Sequence, residues 1–130
     1  MYIVILAPNA GWDLAYGGGT YVVLQMANIL AARNNTVEIV ALEALSKGTL
    51  EKVHGIKLSK NLKISAVYTA GTMRIPFPLG FYILSKFVKR RLRDVKPDVV
   101  IFHDDALRDT FNFVKAMGAH TVLYMHFSYK

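Results

Sequence analysis

Five short apolar runs, each rich in β-branched or aromatic residues, recur along this chain with room for a helix between most neighbours. They are YIVILA (2–7), TVEIVAL (36–42), KISAVYT (63–69), DVVIFH (98–103) and TVLYMHF (121–127). Several are nearly continuous rather than alternating, which is how strands read when both faces of a sheet are covered. Helical patterns lie between them at Thr20–Arg33, Pro78–Val95 and Ala106–Met117. The segment Glu43–Lys60 is polar and interrupted by glycine, which predicts a loop with a short helix.

Strands alternating with helices of this length predict βαβ units. The expected fold class is therefore α/β: an open, doubly wound, mostly parallel Rossmann-like sheet of about five strands with flanking helices. The 130 residues fit one domain, 1–130. Hydrophobic residues make up 53% and charged residues 19%, so the core is expected to be large for the chain's size.

The uncharged stretch Leu14–Ala32 is long enough to raise the question of a membrane span. Gly17, Gly18 and Gly19 interrupt it, and Thr20, Gln25 and Asn28 would need partners in lipid. A buried helix preceded by a loop is the better expectation. The N-terminus lacks a basic leader, so a cytoplasmic protein without a signal peptide is expected. With no cysteine, disulfides and thiolate metal sites are excluded, and no two of the four histidines are spaced i, i+4. No metal and no cofactor are expected.

The net charge of +7 is concentrated in one part of the chain. Residues 47–96 hold twelve Lys and Arg against Glu51 and Asp94, while the flanking segments are slightly acidic. Within it, Leu84, Phe87, Val88, Leu92 and Val95 form a helical stripe, and Lys86, Lys89, Arg90, Arg93 and Lys96 fall largely off it. Its lead-in, IPFPLGFYIL, is aromatic and apolar. Either this helix packs on the core with a solvated charged face, or Lys86, Lys89, Arg90 and Arg93 face an anionic membrane from the cytoplasmic side. No nucleic-acid recognition motif accompanies the charge.

The stretch PNAGWDLAYGGGTY (8–21) follows the first strand and opens the first helix. In parallel sheets this position borders the ligand crevice, and Thr20 is placed to cap the helix. The free N–H groups of that helix start would suit a phosphate or carboxylate. No Lys follows the glycines, and the G-x-G-x-x-G spacing is absent. Glu43, at the end of the second strand, stands where a ribose-binding acid would sit and keeps a nicotinamide-binding domain as an alternative. His103 and Asp104 end the fourth strand and His126 the fifth, so topology assigns them to the same sheet edge. An imidazole there can act as a general base or donate to a phosphate. Asp105 reads better as a helix-start carboxylate, and His54 and His120 as ordinary structural histidines.

Three segments, Gly17–Leu42, KPDVVIFHDD (96–105) and TVLYMHFSY (121–129), resemble in order and spacing the N-terminal domain of family 4 glycosyltransferases of the GT-B fold. YMHF is similar to enzymes that mannosylate lipid-linked oligosaccharides. The resemblance implies metal-free transfer of a sugar from a nucleotide-sugar to an acceptor, such as a lipid-linked one. It places Gly17, Gly18, Gly19 and Thr20 along the donor diphosphate and His126 near the donor sugar. Asn9, His103 and Asp104 would line the acceptor side of the cleft. In that family a C-terminal domain carries most of the nucleotide-sugar site, so the 130 residues alone are expected to be inactive and to need that domain or a second subunit. The alternative from a different class is a non-catalytic binding or membrane-anchoring subunit.

Overall fold

In a computed structural model the described residues are 1–6, 13–15, 18–71, 75–76, 79–102 and 108–123. They form an α/β Rossmann-like fold around a parallel sheet. The strands are β1 (Tyr2–Leu6), β2 (Asp13–Leu14), β3 (Thr36–Ala44), β4 (Leu62–Thr69), β5 (Val99–Phe102) and β6 (His120–Leu123). Four helices alternate with them: α1 (Gly18–Ala31), α2 (Lys47–His54), α3 (Leu79–Val95) and α4 (Arg108–Met117).

The five longer strands lie in the order β4, β3, β1, β5, β6, all parallel. The two-residue β2 pairs with Glu43 and Ala44, at the far end of the β3 edge that β1 occupies. The chain steps outward from β1 to β4, then returns to β5 on the other side of β1. That reversal makes the carboxyl ends of β1 and β5 the switch point, where ligands of such sheets bind.

Why these strands read as continuous apolar runs is visible in the packing. Ile3 and Ile5 of β1 pack toward α1 and α2, while Val4 and Leu6 pack toward α3 and α4. The same alternation splits β3, with Val37, Ile39 and Ala41 on one face and Val40 and Leu42 on the other. The sheet therefore has a core on each side, and successive residues must both be apolar.

The helices end where local chemistry stops them. After α1, Asn34 takes a left-handed φ of 63°, and Asn35 Nδ2 donates to the Leu30 carbonyl at 2.9 Å. Ser46 caps α2 by accepting from Thr49 N–H. At its other end Gly55, with φ 67°, donates its N–H to the Glu51 carbonyl at 2.9 Å. A glycine suits that left-handed cap because it has no Cβ. Lys96 and Pro97 terminate α3, proline being unable to continue it.

The polar residues of the uncharged stretch find partners within the fold. Asn28 donates to the Lys57 carbonyl and accepts from Ser59 N–H, both at 2.8 Å, tying α1 to the connection before β4. Lys47 Nζ donates to the Ser59 and Leu62 carbonyls at 2.7 and 2.6 Å and closes the same connection from α2. Among the described residues no helix is long and apolar enough to cross a membrane.

Candidate functional site

Leu6, Phe102 and Leu123 end the three adjacent strands β1, β5 and β6 at the carboxyl edge of the sheet. The residues singled out beyond those ends, namely Asn9, Gly17, His103, Asp104 and His126, lie outside the described residues. Described on this edge are the start of α1, the pairing of β2 with β3, and the contact that ties them to α2.

Helix α1 begins at Gly18, two residues earlier than the sequence suggests. Thr20 is therefore not its cap but the third residue of its first turn, and it is buried. The early start follows from packing: Thr20, Val23, Leu24 and Ala27 form one buried stripe, which carries the helical conformation back past Thr20. Gly18 and Gly19, the first two residues of the helix, consequently hold N–H groups that no helical carbonyl reaches. No acidic residue occupies that first turn. Among the described residues a Cβ at Gly18 would meet nothing within 4 Å, and the Gly18 φ is not positive.

His54, read from sequence as an ordinary histidine, holds this region together. It is the last residue of α2, and its Nε2–H donates to the Ala15 carbonyl at 2.7 Å. Ala15 follows β2, whose Asp13 and Leu14 pair with Glu43 and Ala44. The ring of Tyr21 stands 6.2 Å from that of His54, and the Tyr21 hydroxyl accepts from Gln25 Nε2 at 2.8 Å. A histidine just before a helix-ending glycine carries no local sign of this partner, which is 39 residues away. Glu43 lies at the carboxyl end of β3, half-buried between β2 and β4.

The second charged region is α3 and the strand beneath it. Leu84, Val88 and Leu92 are buried, with Phe87 and Val95 partly so, as the stripe predicts. Lys86, Arg90 and Arg93 are exposed and Lys89 half-buried. Arg91, not singled out in sequence, turns inward. Its Nε donates to Glu38 Oε2 at 2.8 Å and its Nη2 to Oε1 at 2.9 Å. Tyr2 Oη donates to Oε1 and Ser65 Oγ to Oε2, each at 2.6 Å.

Glu38 is fully buried, so its carboxylate depends on these four donors. Burial pushes its pKa up. The hydrogen bonds from Arg91, Ser65 and Tyr2, with the Arg91 charge, outweigh that and hold the carboxyl below its usual range. Burial, with the hydrogen bond to Glu38 and its negative charge, pushes the Tyr2 phenol up to about 12. Each Glu38 oxygen accepts two hydrogen bonds, so the cluster orients α3 over β3 rather than performing chemistry. A signal for it exists: Arg91 falls on the apolar stripe, three residues after Val88, and Glu38 interrupts a strand buried on both faces.

Compared with known proteins, the chain matches no family model and no curated protein.

Proposed function

We propose that this chain is the acceptor-side domain of a glycosyltransferase, one wall of a cleft in which a sugar moves from a nucleotide-sugar to an acceptor. One observation carries the reading: the strand order brings the ends of β1, β5 and β6 together beside a glycine-opened helix start free of acidic residues. A diphosphate fits such a start, because the N–H groups of Gly18 and Gly19 and the helix dipole both favour negative charge. The three sequence segments that resemble family 4 enzymes supply the glycine run and the two strands around this crevice.

In this reading Gly17, Gly18, Gly19 and Thr20 border the donor diphosphate, and His126 lies near the donor sugar and its phosphate. Asn9, His103 and Asp104 bind the acceptor hydroxyls. His54 keeps the segment before the glycines in place through the Ala15 carbonyl. The remaining nucleotide contacts come from a second domain or subunit.

Two experiments separate this from its rivals. Incubating the 130-residue chain with nucleotide-sugars is expected to give no turnover, and turnover would overturn the need for a second half. Calorimetric titration is expected to show weak nucleoside diphosphate binding, since a second domain carries most of the nucleotide site, and Gly18→Asp is expected to abolish it. Tight binding of NAD, weakened by Glu43→Ala, would replace the proposal with a nicotinamide-binding domain. Binding of neither ligand would leave the non-catalytic subunit.

A further inference from the structure

We infer that the outer face of α3 docks sideways onto an anionic lipid bilayer, with Leu79 and Tyr82 entering the interface and Lys86, Arg90 and Arg93 meeting the headgroups. Sequence alone left open whether this helix simply packs with a solvated face, because periodicity does not show which side chains point out. Leu79, Tyr82, Lys86, Arg90 and Arg93 follow one another at i, i+3, i+7, i+11 and i+14, and all are exposed. They form a single line of about 21 Å along the helix.

Two features hold this line outward. Leu84, Val88 and Leu92 anchor the opposite side in the core. Arg91 is removed from the basic face by its bidentate pair with buried Glu38, which fixes the rotation of the helix about its axis. The helix's acid, Asp94, lies beside Arg91, with Oδ2 3.8 Å from Nη1. Lys86 Nζ sits 5.6 Å from the centre of the Tyr82 ring, and the Arg93 guanidinium 5.2 Å from that of Phe113. The cations are thus distributed along aromatic and apolar surface rather than isolated on it.

Composition along the line selects the occupant. Leu79 is 54% exposed and Tyr82 61%, side by side at one end, with cations filling the rest. A nucleic-acid backbone would engage the cations and leave Leu79 in water. A bilayer interface takes both, since apolar tips enter the acyl boundary, tyrosine stays at headgroup level, and Lys and Arg stems reach phosphate.

The fold gives the docking a direction. Helix α3 leads into β5 at the amino edge of the sheet, so it starts at the carboxyl edge, after β4. Leu79 and Tyr82 therefore enter the bilayer on the side where the crevice opens. A lipid-borne substrate would reach that edge without leaving the membrane surface. Docking itself stands independently of sugar transfer, and its test involves no sugar.

The test is flotation of the purified chain with vesicles of phosphatidylcholine, alone or with about one third phosphatidylglycerol, at low and high salt. Binding is expected only with phosphatidylglycerol and is lost at high salt. The triple variant Lys86→Gln, Arg90→Gln, Arg93→Gln is expected to lower partitioning about 100-fold, roughly fivefold per charge. Lys52→Gln, Lys57→Gln, Lys60→Gln removes as many exposed charges elsewhere and is expected to leave most binding intact. Equal losses in the two triple variants would overturn the proposal, as would equal binding to neutral vesicles.

A second readout does not depend on the charge variants folding. The chain lacks cysteine, so Leu79→Cys and Lys57→Cys each accept one environment-sensitive dye. The dye at position 79 is expected to shift blue on anionic vesicles and the dye at 57 to stay unchanged. An unshifted dye at 79, or a shift there on adding duplex RNA without lipid, sinks the inference.

Discussion

Arg91 and Glu38 lie 53 residues apart in the chain, yet their side chains meet in a two-pronged pair, with Nε 2.8 Å from Oε2 and Nη2 2.9 Å from Oε1. The carboxylate is fully buried and the guanidinium side chain only 20% exposed. The pair joins a central strand to the helix above it, and each partner makes the other tolerable in an apolar layer.

Breaking that pair from one side is expected to be costly. Arg91→Ala leaves a buried carboxylate with two hydroxyl donors and should destabilise the domain by about 3–5 kcal/mol. The double variant Glu38→Leu, Arg91→Leu should recover part of that loss, since an apolar pair carries no desolvation cost but the Tyr2 and Ser65 hydroxyls lose their acceptor. Urea unfolding of the two variants checks both values. A double variant no more stable than Arg91→Ala would contradict this account of the pair.

The same cluster sets an acid limit. The Glu38 carboxyl is held below its usual range in the folded state, so between its folded and unfolded pKa values the unfolded chain binds more protons. Its contribution to stability is complete above the ordinary carboxylate value of about 4.3 and disappears as pH falls below it. Thermal unfolding across pH 3–6 (about the range where carboxylates titrate) should show this loss, and Glu38→Leu, Arg91→Leu should show less of it.

Tyr2 governs the alkaline side. With its pKa raised to about 12, the folded state keeps the phenol proton that the unfolded chain loses near pH 10. Stability from this group is therefore full below about pH 10 and falls as pH rises through 12. Absorbance at about 295 nm should show a late-titrating component that is missing in Tyr2→Phe. That variant should also lose about 1.5–3 kcal/mol, as expected for a hydrogen bond to a charged group.

Gly18 separates stability from binding. A Cβ there meets no described neighbour within 4 Å and its backbone is helical, so Gly18→Ala should stabilise the domain by about 0.4–1 kcal/mol. The same methyl group narrows the space before the helix start and should weaken nucleoside diphosphate binding severalfold. Parallel unfolding and titration measurements check both. A stabilised variant with undiminished affinity would remove the helix start from the site.

Much of the fold was legible because it is written in near neighbours. The run TVEIVAL is apolar on both faces because β3 lies between two cores, and the stripe from Leu84 to Val95 repeats because one side of α3 is buried. The polar segment after Glu43 was expected to hold a short helix, and Ser46 and Gly55 bound it. Boundaries were less legible at the glycines, where the packing of Thr20 and Val23 rather than local preference extends α1 back to Gly18.

The sequence by itself determined the alternation of strands and helices, the apolar faces and the concentration of basic charge, because each depends on residues a few positions apart. Only the tertiary structure decided the order β4, β3, β1, β5, β6, which makes β1, β5 and β6 neighbours on the carboxyl edge. It also decided that Arg91 turns in to Glu38 while Lys86, Arg90 and Arg93 face out, and that His54 reaches the Ala15 carbonyl. Those outcomes depend on where the chain closes in space. The place of Arg91 on the apolar stripe marks it as turned inward, but nothing nearby in the chain marks Glu38, 53 residues away, as the group it meets.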